Sequence, residues 1–444
     1  MSPPPHRSRS YLRGRCAAAV CVVLLAACGS EPSARPGGHT TTTTTATTIQ
    51  TAESTTTTVA STRPSPTTSP LLAAPVTAAL GGQLATFRRA DLPLASSAPA
   101  NLVAASPSGV VAIGWRSAGC CAQTVSAAVS ADGRQWRVVN TPWDDRPNGN
   151  VLARSFGSPA AIAYGDDMFV SVGQWIDTAA DGKQTTTAVA ARSIDGITWE
   201  SIDLPAPPNS LSPSHLVRLG SHWILAADNS NALPRRQSQL FSSSDGRTWE
   251  SIGDLDFKVQ YLRTTTVGLF AMGFRGENNS TQWFTASSID GRTWKSSILN
   301  LGVTSPVQSV LVDGDRIVLI VSEDVTGFSK DRRARLLSSR DGFTWQSMPT
   351  PPCFVAGDYV GPAAAVGGTW AIVIDAETER LALSRDQGST WSCTDLNGEA
   401  FETRWGPPYL TGISDVQGKL ALVGGRTIEP GAKGNWAAAI WFLS

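Results

Sequence analysis

One short pattern, repeated six times, limits what this chain can fold into. It reads Ser130-Ala131-Asp132-Gly133-Arg134-Gln135-Trp136, Ser193-Ile194-Asp195-Gly196-Ile197-Thr198-Trp199 and Ser243-Ser244-Asp245-Gly246-Arg247-Thr248-Trp249. It returns as Ser288-Ile289-Asp290-Gly291-Arg292-Thr293-Trp294 and Ser339-Arg340-Asp341-Gly342-Phe343-Thr344-Trp345. A sixth copy, Ser384-Arg385-Asp386-Gln387-Gly388-Ser389-Thr390-Trp391, carries one residue more. Successive Asp positions lie 63, 50, 45, 51 and 45 residues apart. A period of this size means a repeat fold with one supersecondary unit per period.

The chemistry of the unit is local. Asp-Gly between apolar runs is a hairpin-turn signal, because Gly tolerates positive φ. The Asp carboxylate accepts bonds from N–H groups of its own turn, and Ser and Thr hydroxyls satisfy the rest. The Trp opens the next strand and offers a large surface to a neighbouring unit. Asp132, Asp195, Asp245, Asp290, Asp341 and Asp386 are therefore structural residues of turns, not acids for catalysis.

The pattern resembles the Asp-box, or BNR, repeat of sialidase-like β-propellers, over about residues 84–444. Five copies are one residue shorter than the usual Ser-Xaa-Asp-Xaa-Gly-Xaa-Thr-Trp, and the copy at Ser384 matches in full. The repeat specifies fold more than activity: it occurs in sialidases, other glycoside hydrolases, a photosystem II assembly factor and sortilin-type receptors. The resemblance implies an all-β, seven-bladed β-propeller of four-stranded antiparallel blades.

The flanking sequence supports that count. Hairpins of apolar strands recur around Gly-containing turns at 102–114, 160–172, 216–227, 261–273, 309–321, 363–374 and 412–424. Runs such as Ile317-Val318-Leu319-Ile320-Val321 are apolar on both faces, as strands sandwiched between sheets must be. The seventh unit stops after its third strand, Ala437 to Trp441. Its missing fourth strand has a counterpart at the other end, where Phe87-Arg88-Arg89-Ala90-Asp91-Leu92-Pro93 reads like Trp199-Glu200-Ser201-Ile202-Asp203-Leu204-Pro205. The N-terminal strand is thus expected to complete the last blade and close the ring.

Ahead of the repeats lie two other segments. Residues 1–28 read as an export signal, with Arg7, Arg9, Arg13 and Arg15 before a short apolar run and Leu25-Ala26-Ala27-Cys28-Gly29 at its end. That ending resembles a bacterial lipobox, which makes Cys28 the lipidated first residue of a mature chain. Residues 29–80 are rich in Thr and Pro and read as a disordered tether, with too little apolar surface to offset ordering entropy. Such a tether spans ~150 Å extended or ~40 Å as a coil. Residues 81–444 form the propeller domain. The whole chain has 36 basic and 36 acidic residues. Loss of the leader removes four arginines and no acid, which disfavours nucleic acid as a partner.

An exported chain favours disulfides. Cys353 follows the fourth strand of unit five and Cys393 lies in the fourth strand of unit six, neighbouring positions in a propeller, so the two are paired. Cys120 and Cys121 form a vicinal disulfide or remain thiols. No metal or cofactor site is expected.

Function is expected on the irregular loops opposite the repeat turns. Residues ending the second strands ring that mouth: Arg116, Trp175, Asp228, Arg275, Glu323, Asp375 and Arg426. Mixed charge and aromatic planes suit a glycan or an envelope protein, bound by a monomer tied to the membrane only through its lipid. The rival reading is a glycoside hydrolase using a carboxylate pair such as Asp228, Glu323 or Asp375. By resemblance a sialidase needs an arginine triad, a Tyr–Glu nucleophile pair and an Asp acid, commonly with an Arg-Ile-Pro motif. Arg-Ile-Pro does not occur here. Tyr164 falls beside a turn on the wrong face, while Tyr359 and Tyr409 start inner strands near Asp358 and Glu402. His215 and His222 read as packing or surface residues, and no phosphate-binding Gly-rich loop is present.

Overall fold

The computed structural model describes residues 76–80, 83–94, 100–117, 123–141, 143, 154–179, 181–229, 237–276, 282–300, 307–324, 332–355, 357–375, 380–396, 409–427 and 436–443. Their regular structure is entirely β, in six four-stranded sheets and one five-stranded sheet, all antiparallel and each a blade of a seven-bladed propeller. Blade one runs Ala100–Ser106, Gly109–Ser117, Gln123–Ser130, Arg137–Val139. Blades two to seven begin at Arg154, Leu211, Lys258, Val307, Tyr359 and Tyr409. Each first strand lies beside the first strands of both adjacent blades, so these seven form the innermost ring around the channel.

The ring closes with strands from both ends of the chain. Gln83–Asp91 pairs with Trp436–Leu443 in the register Phe87↔Leu443 to Asp91↔Ala439. A further strand, Val76–Leu80, pairs with residues 83–87 in the register Val76↔Phe87 to Leu80↔Gln83, and makes this blade five-stranded. The described β-structure therefore includes Val76–Leu80, the last five residues of the segment read as tether. Val76 to Leu80 is apolar apart from Thr77, and Gly81-Gly82 after it is a two-residue hairpin signal that the Thr/Pro composition upstream obscured.

Second strands are buried on both faces, and each hydrophobic cluster joins two blades. Phe87 and Trp441 of the closing blade pack with Leu381 and Leu383 of blade six. Ala438 and Ile440 pack with Val110 and Ala112 of blade one. Blades five and six are also linked covalently, because Cys353 and Cys393 form a disulfide with Cα atoms 5.9 Å apart.

The repeat turns explain how blades lock. In blade four the Ser288 hydroxyl donates to Asp290 Oδ1 at 3.0 Å, and the Gly291 N–H donates back to Ser288 Oγ at 2.8 Å. The N–H groups of Arg292 and Thr293 donate to the same Oδ1 at 2.9 and 2.7 Å. Trp294 Nε1 then donates to the Gly291 carbonyl at 2.9 Å. This cage holds Gly291 at φ +73°, a left-handed value favouring glycine. The glycine is also pressed onto the preceding blade. A Cβ at Gly196 would sit 2.5 Å from Val111 of blade one, and a Cβ at Gly133 would sit 2.8 Å from Phe442 of blade seven. The extra residue of the sixth copy, Gln387 at φ +55°, re-aims its indole: Trp391 Nε1 donates to the Pro349 carbonyl of blade five at 3.2 Å.

Each first strand carries a register shift near its start, at Ala100/Leu102, Pro159/Ala161, Pro213/His215, Val259/Tyr261, Val307/Ser309, Val360/Ala363 and Leu410/Gly412. The bulges bend the strands and leave residues unpaired within their own sheet. Neighbouring blades use these residues: His215 Nε2 meets Gln260 O at 2.8 Å, Tyr261 Oη donates to Gln308 O at 2.6 Å, and Thr411, itself a bulge residue, donates through Oγ1 to Ala100 O at 2.5 Å.

Phe87 is 1% exposed and stands where the ends of the chain meet. Phe87→Ala is expected to cost about 3–5 kcal/mol, the range for a large buried aromatic. Urea unfolding checks this, and a midpoint unchanged from wild type would show that the closing strand does not hold the ring.

Candidate functional site

In blades one to six the first-to-second hairpin and the repeat turn emerge on one face of the ring, and the first-to-second hairpin of blade seven joins them. The second-to-third loop and the link to the next blade emerge on the other, which is the loop face. The structure describes four of the seven residues expected to ring that mouth in full: Trp175, Asp228, Arg275 and Arg426. Arg116, Glu323 and Asp375 end second strands by their backbone, and their side chains lie outside the described residues, as do Cys28, Cys120, Cys121, Glu402 and the side chain of Tyr409.

Trp175 is not an exposed stacking plane. It is 2% exposed and packs against Trp143 between blades one and two, ring centroids 6.4 Å apart. Burial of a large apolar ring there is more favourable than display at the rim.

The described charges tie strands together. Asp228 receives Lys258 Nζ at 2.7 Å and the Ser238 hydroxyl at 3.0 Å, joining blade three to the first strand of blade four. Arg275 binds the Asp256 carboxylate, donates through Nε to the Asp256 carbonyl at 2.7 Å, and covers the Phe284 ring at 4.8 Å. Arg426 Nε lies 3.2 Å from Asp91 Oδ1, linking the second strand of blade seven to the N-terminal strand. Arg89 Nε shares that same oxygen at 3.1 Å. Sequence reasoning missed a fourth pair: Arg380 Nη2 lies 3.0 Å from Asp358 Oδ2, and Arg380 Nη1 donates to Cys353 O at 2.7 Å. Tyr359, 39% exposed, follows Asp358 directly, but that carboxylate is held by Arg380 and by the Val355 N–H.

The six repeat aspartates are consumed by their turns. At Asp290 the Thr293 N–H, then the Arg292 N–H, hold the carboxyl down at about 2. At Asp386 the Thr390 hydroxyl and N–H do the same, to about 2. At Asp245 partial burial works in the opposite sense, yet the Thr248 and Arg247 N–H groups prevail and bring it to about 2. Asp341 is lowered chiefly by the Thr344 N–H. At Asp132 and Asp195 burial again opposes, and turn N–H groups again win. A carboxyl held ionised this way is a poor proton donor near neutrality.

A concavity of about 870 Å³ opens on the repeat-turn face, at the seam between blades seven and one. Asp132, Arg134, Asp415, Gln417 and Lys419 line it. Turn composition alone gave no sign of it, because it forms from turns about 300 residues apart that meet only when the ring closes.

These features define the protein as a seven-bladed β-propeller with ion pairs at Asp228, Arg275, Arg380 and Arg426 on its described loop face. No protein-family model matches the chain, and no curated protein matches it. Solved structures do match. A YCF48 propeller bound to a D1 peptide aligns at TM-score 0.50 and 13% identity, covering 80% of this chain and 94% of that one. A Mycobacterium tuberculosis puromycin-hydrolyzing peptidase aligns at TM-score 0.45 and 16% identity, over 73% of this chain and half of that one. An α-L-arabinofuranosidase from Fusarium graminearum aligns at TM-score 0.38 and 12% identity, over 67% and 93%. At such identities the likeness is one of fold.

His215 carries the clearest pH consequence. Burial first, then the charge of Arg263, lowers it from 6.5 to about 4, with Lys258 adding to the same effect and the Gln260 carbonyl opposing it. Below pH 6.5 the unfolded chain takes up a proton that the folded chain refuses until about pH 4. Stability from this group is therefore present at pH 7 and falls as pH drops through that window. Unfolding free energies from urea titrations at pH 7 and pH 5 are expected to differ by about 2 kcal/mol more in the wild type than in His215→Gln. Equal pH slopes would remove His215 as the cause.

Proposed function

We propose that this chain is a lipid-anchored, extracytoplasmic binding or scaffold module of the bacterial envelope, which takes a glycan or a protein on its loop face. In this reading Cys28 is the lipidated residue, residues up to about 75 are the tether, and the repeat turns are Asp-boxes serving stability alone. The observation that carries it is the state of the loop-face acids. Asp228, Asp256, Asp358 and Asp91 each engage a cation, and the one described tyrosine at an inner-strand start, Tyr359, adjoins a carboxylate already held by Arg380. Glycoside hydrolysis requires a nucleophile or base and an acid at a set separation, and paired acids supply a firm surface in their place.

A screen of envelope glycans and envelope proteins, run beside a fluorogenic sialoside assay, tests the reading. Binding without turnover is expected. Arg275→Ala and Glu323→Ala are expected to weaken binding with little change in melting temperature; for Arg275 the partly exposed pair with Asp256 contributes at most about 1 kcal/mol. Sialoside hydrolysis that disappears in Tyr359→Phe or Tyr409→Phe would replace this reading with an enzyme.

Anchoring has its own test. Cys28→Ala is expected to move the protein from the membrane fraction or to block its processing, and lipid labelling of that variant at the wild-type level would refute the lipobox.

A further inference from the structure

The inner ring holds an arginine that no described carboxylate meets. Among partly buried arginines, Arg192, Arg218, Arg275, Arg380 and Arg426 each contact a carboxylate. Arg263, also partly buried, lies mid-way along Lys258–Thr265, the first strand of blade four, and no described carboxylate pairs with it. Its position follows from the register. The hairpin closes at Thr265↔Gly268, so Thr265 and Arg263 exchange backbone bonds with the second strand while Leu262, opposite Ala271, turns its carbonyl away from it. The side of an innermost strand away from its own sheet is the channel. Arg263 Nη1 donates to that Leu262 carbonyl at 3.0 Å, which places the guanidinium at the channel wall. Its carbon lies 5.7 Å from the centroid of the Tyr261 ring.

The surroundings are polar, and their charges do not cancel Arg263. Lys258 is occupied by Asp228. His215 is held between Ser214 Oγ at 3.0 Å and Gln260 O at 2.8 Å, and its imidazole is neutral near pH 7. The Tyr261 hydroxyl spends its proton on Gln308 O. Gln260 Oε1, on the same strand, is buried with no hydrogen-bond partner. Arg263 Nε and Nη2 make no bond to the described protein, and these adjacent donors form a fork suited to two oxygens of one group. A guanidinium partly withdrawn from water without a counter-charge is costly, and an anion taken from solvent relieves that cost.

We propose that Arg263 anchors a binding site for a small oxyanion, a carboxylate or phosphate group, in the central channel between the inner strands of blades three, four and five. The site is separate from the loop face, and its ligand is small enough to enter along the ring axis.

The test uses the full chain, with acetate or inorganic phosphate titrated against chloride at constant ionic strength. A saturable rise in melting temperature of ~2–4 °C is expected for at least one of the two anions, the one that binds identifying the preferred group. Arg263→Gln should abolish the rise without lowering the starting melting temperature. Arg134→Gln, at the seam on the repeat-turn face, should leave the rise intact, and envelope-ligand binding by the loop face should survive in Arg263→Gln. Should Arg263→Gln not fold, the wild type is tested by line broadening of ¹³C-acetate and ³¹P-phosphate, where saturable broadening of either anion, with mutual displacement if both bind, supports the site. No saturable rise and no broadening with either anion, or a rise retained in folded Arg263→Gln, would overturn the proposal.

Discussion

The fold depends on one small device, a carboxylate that gathers its own turn. Asp Oδ1 accepts two successive backbone N–H groups and a serine hydroxyl, and this fixes the next glycine in a left-handed conformation. The glycine has no Cβ, so the turn can lie directly on the side chains of the preceding blade. The indole then folds back over the glycine carbonyl. One local constraint thus makes both a tight turn and an interface, and repetition around the ring turns it into a closed core. The same economy explains why these acids are unsuited to chemistry: their oxygens are already occupied.

Closure adds a second constraint, because a ring transmits error. Six blades dock onto the preceding blade through their turns, while the closing blade is assembled from both ends of the chain. Its Phe442 receives the Gly133 turn of blade one, and its Phe87 and Trp441 enter the cluster shared with blade six. Around the channel, side chains reaching to bulge carbonyls join several pairs of first strands. Loss of the N-terminal strand would therefore expose an apolar edge and loosen two interfaces at once.

The loop face shows how a rim of charge becomes a scaffold. Its described arginines and lysine meet acids that belong to the entry or exit of a strand. Individually such pairs are weak. Their effect is geometric: they define where each loop leaves the sheet, near the Cys353–Cys393 disulfide in one sector. A surface built this way presents fixed positions for recognition, while Arg263 on the inner ring behind it meets no described carboxylate.

What the sequence determined by itself was everything encoded over a few residues or by repetition. The Ser-Xaa-Asp turns, the seven hairpins and the match between Phe87–Pro93 and Trp199–Pro205 specify blade number and closure, because turn bonds and strand alternation act within a handful of positions. The Cys353–Cys393 pair was legible for the same reason, once blade positions were counted. The tertiary structure decided what depends on distance between remote residues. Arg426 and Asp91 are 335 positions apart, and nothing in either neighbourhood says that they meet. Trp175 looks like a rim aromatic by its place in a strand, yet packing against Trp143 buries it. The bulges of the inner strands leave no local signature, so the bonds of His215 and Tyr261 and the unpaired state of Arg263 emerge only when three blades are placed side by side. Local hydrogen bonding writes the architecture into the chain, whereas the balance of charge inside it is settled by which strands the ring brings together.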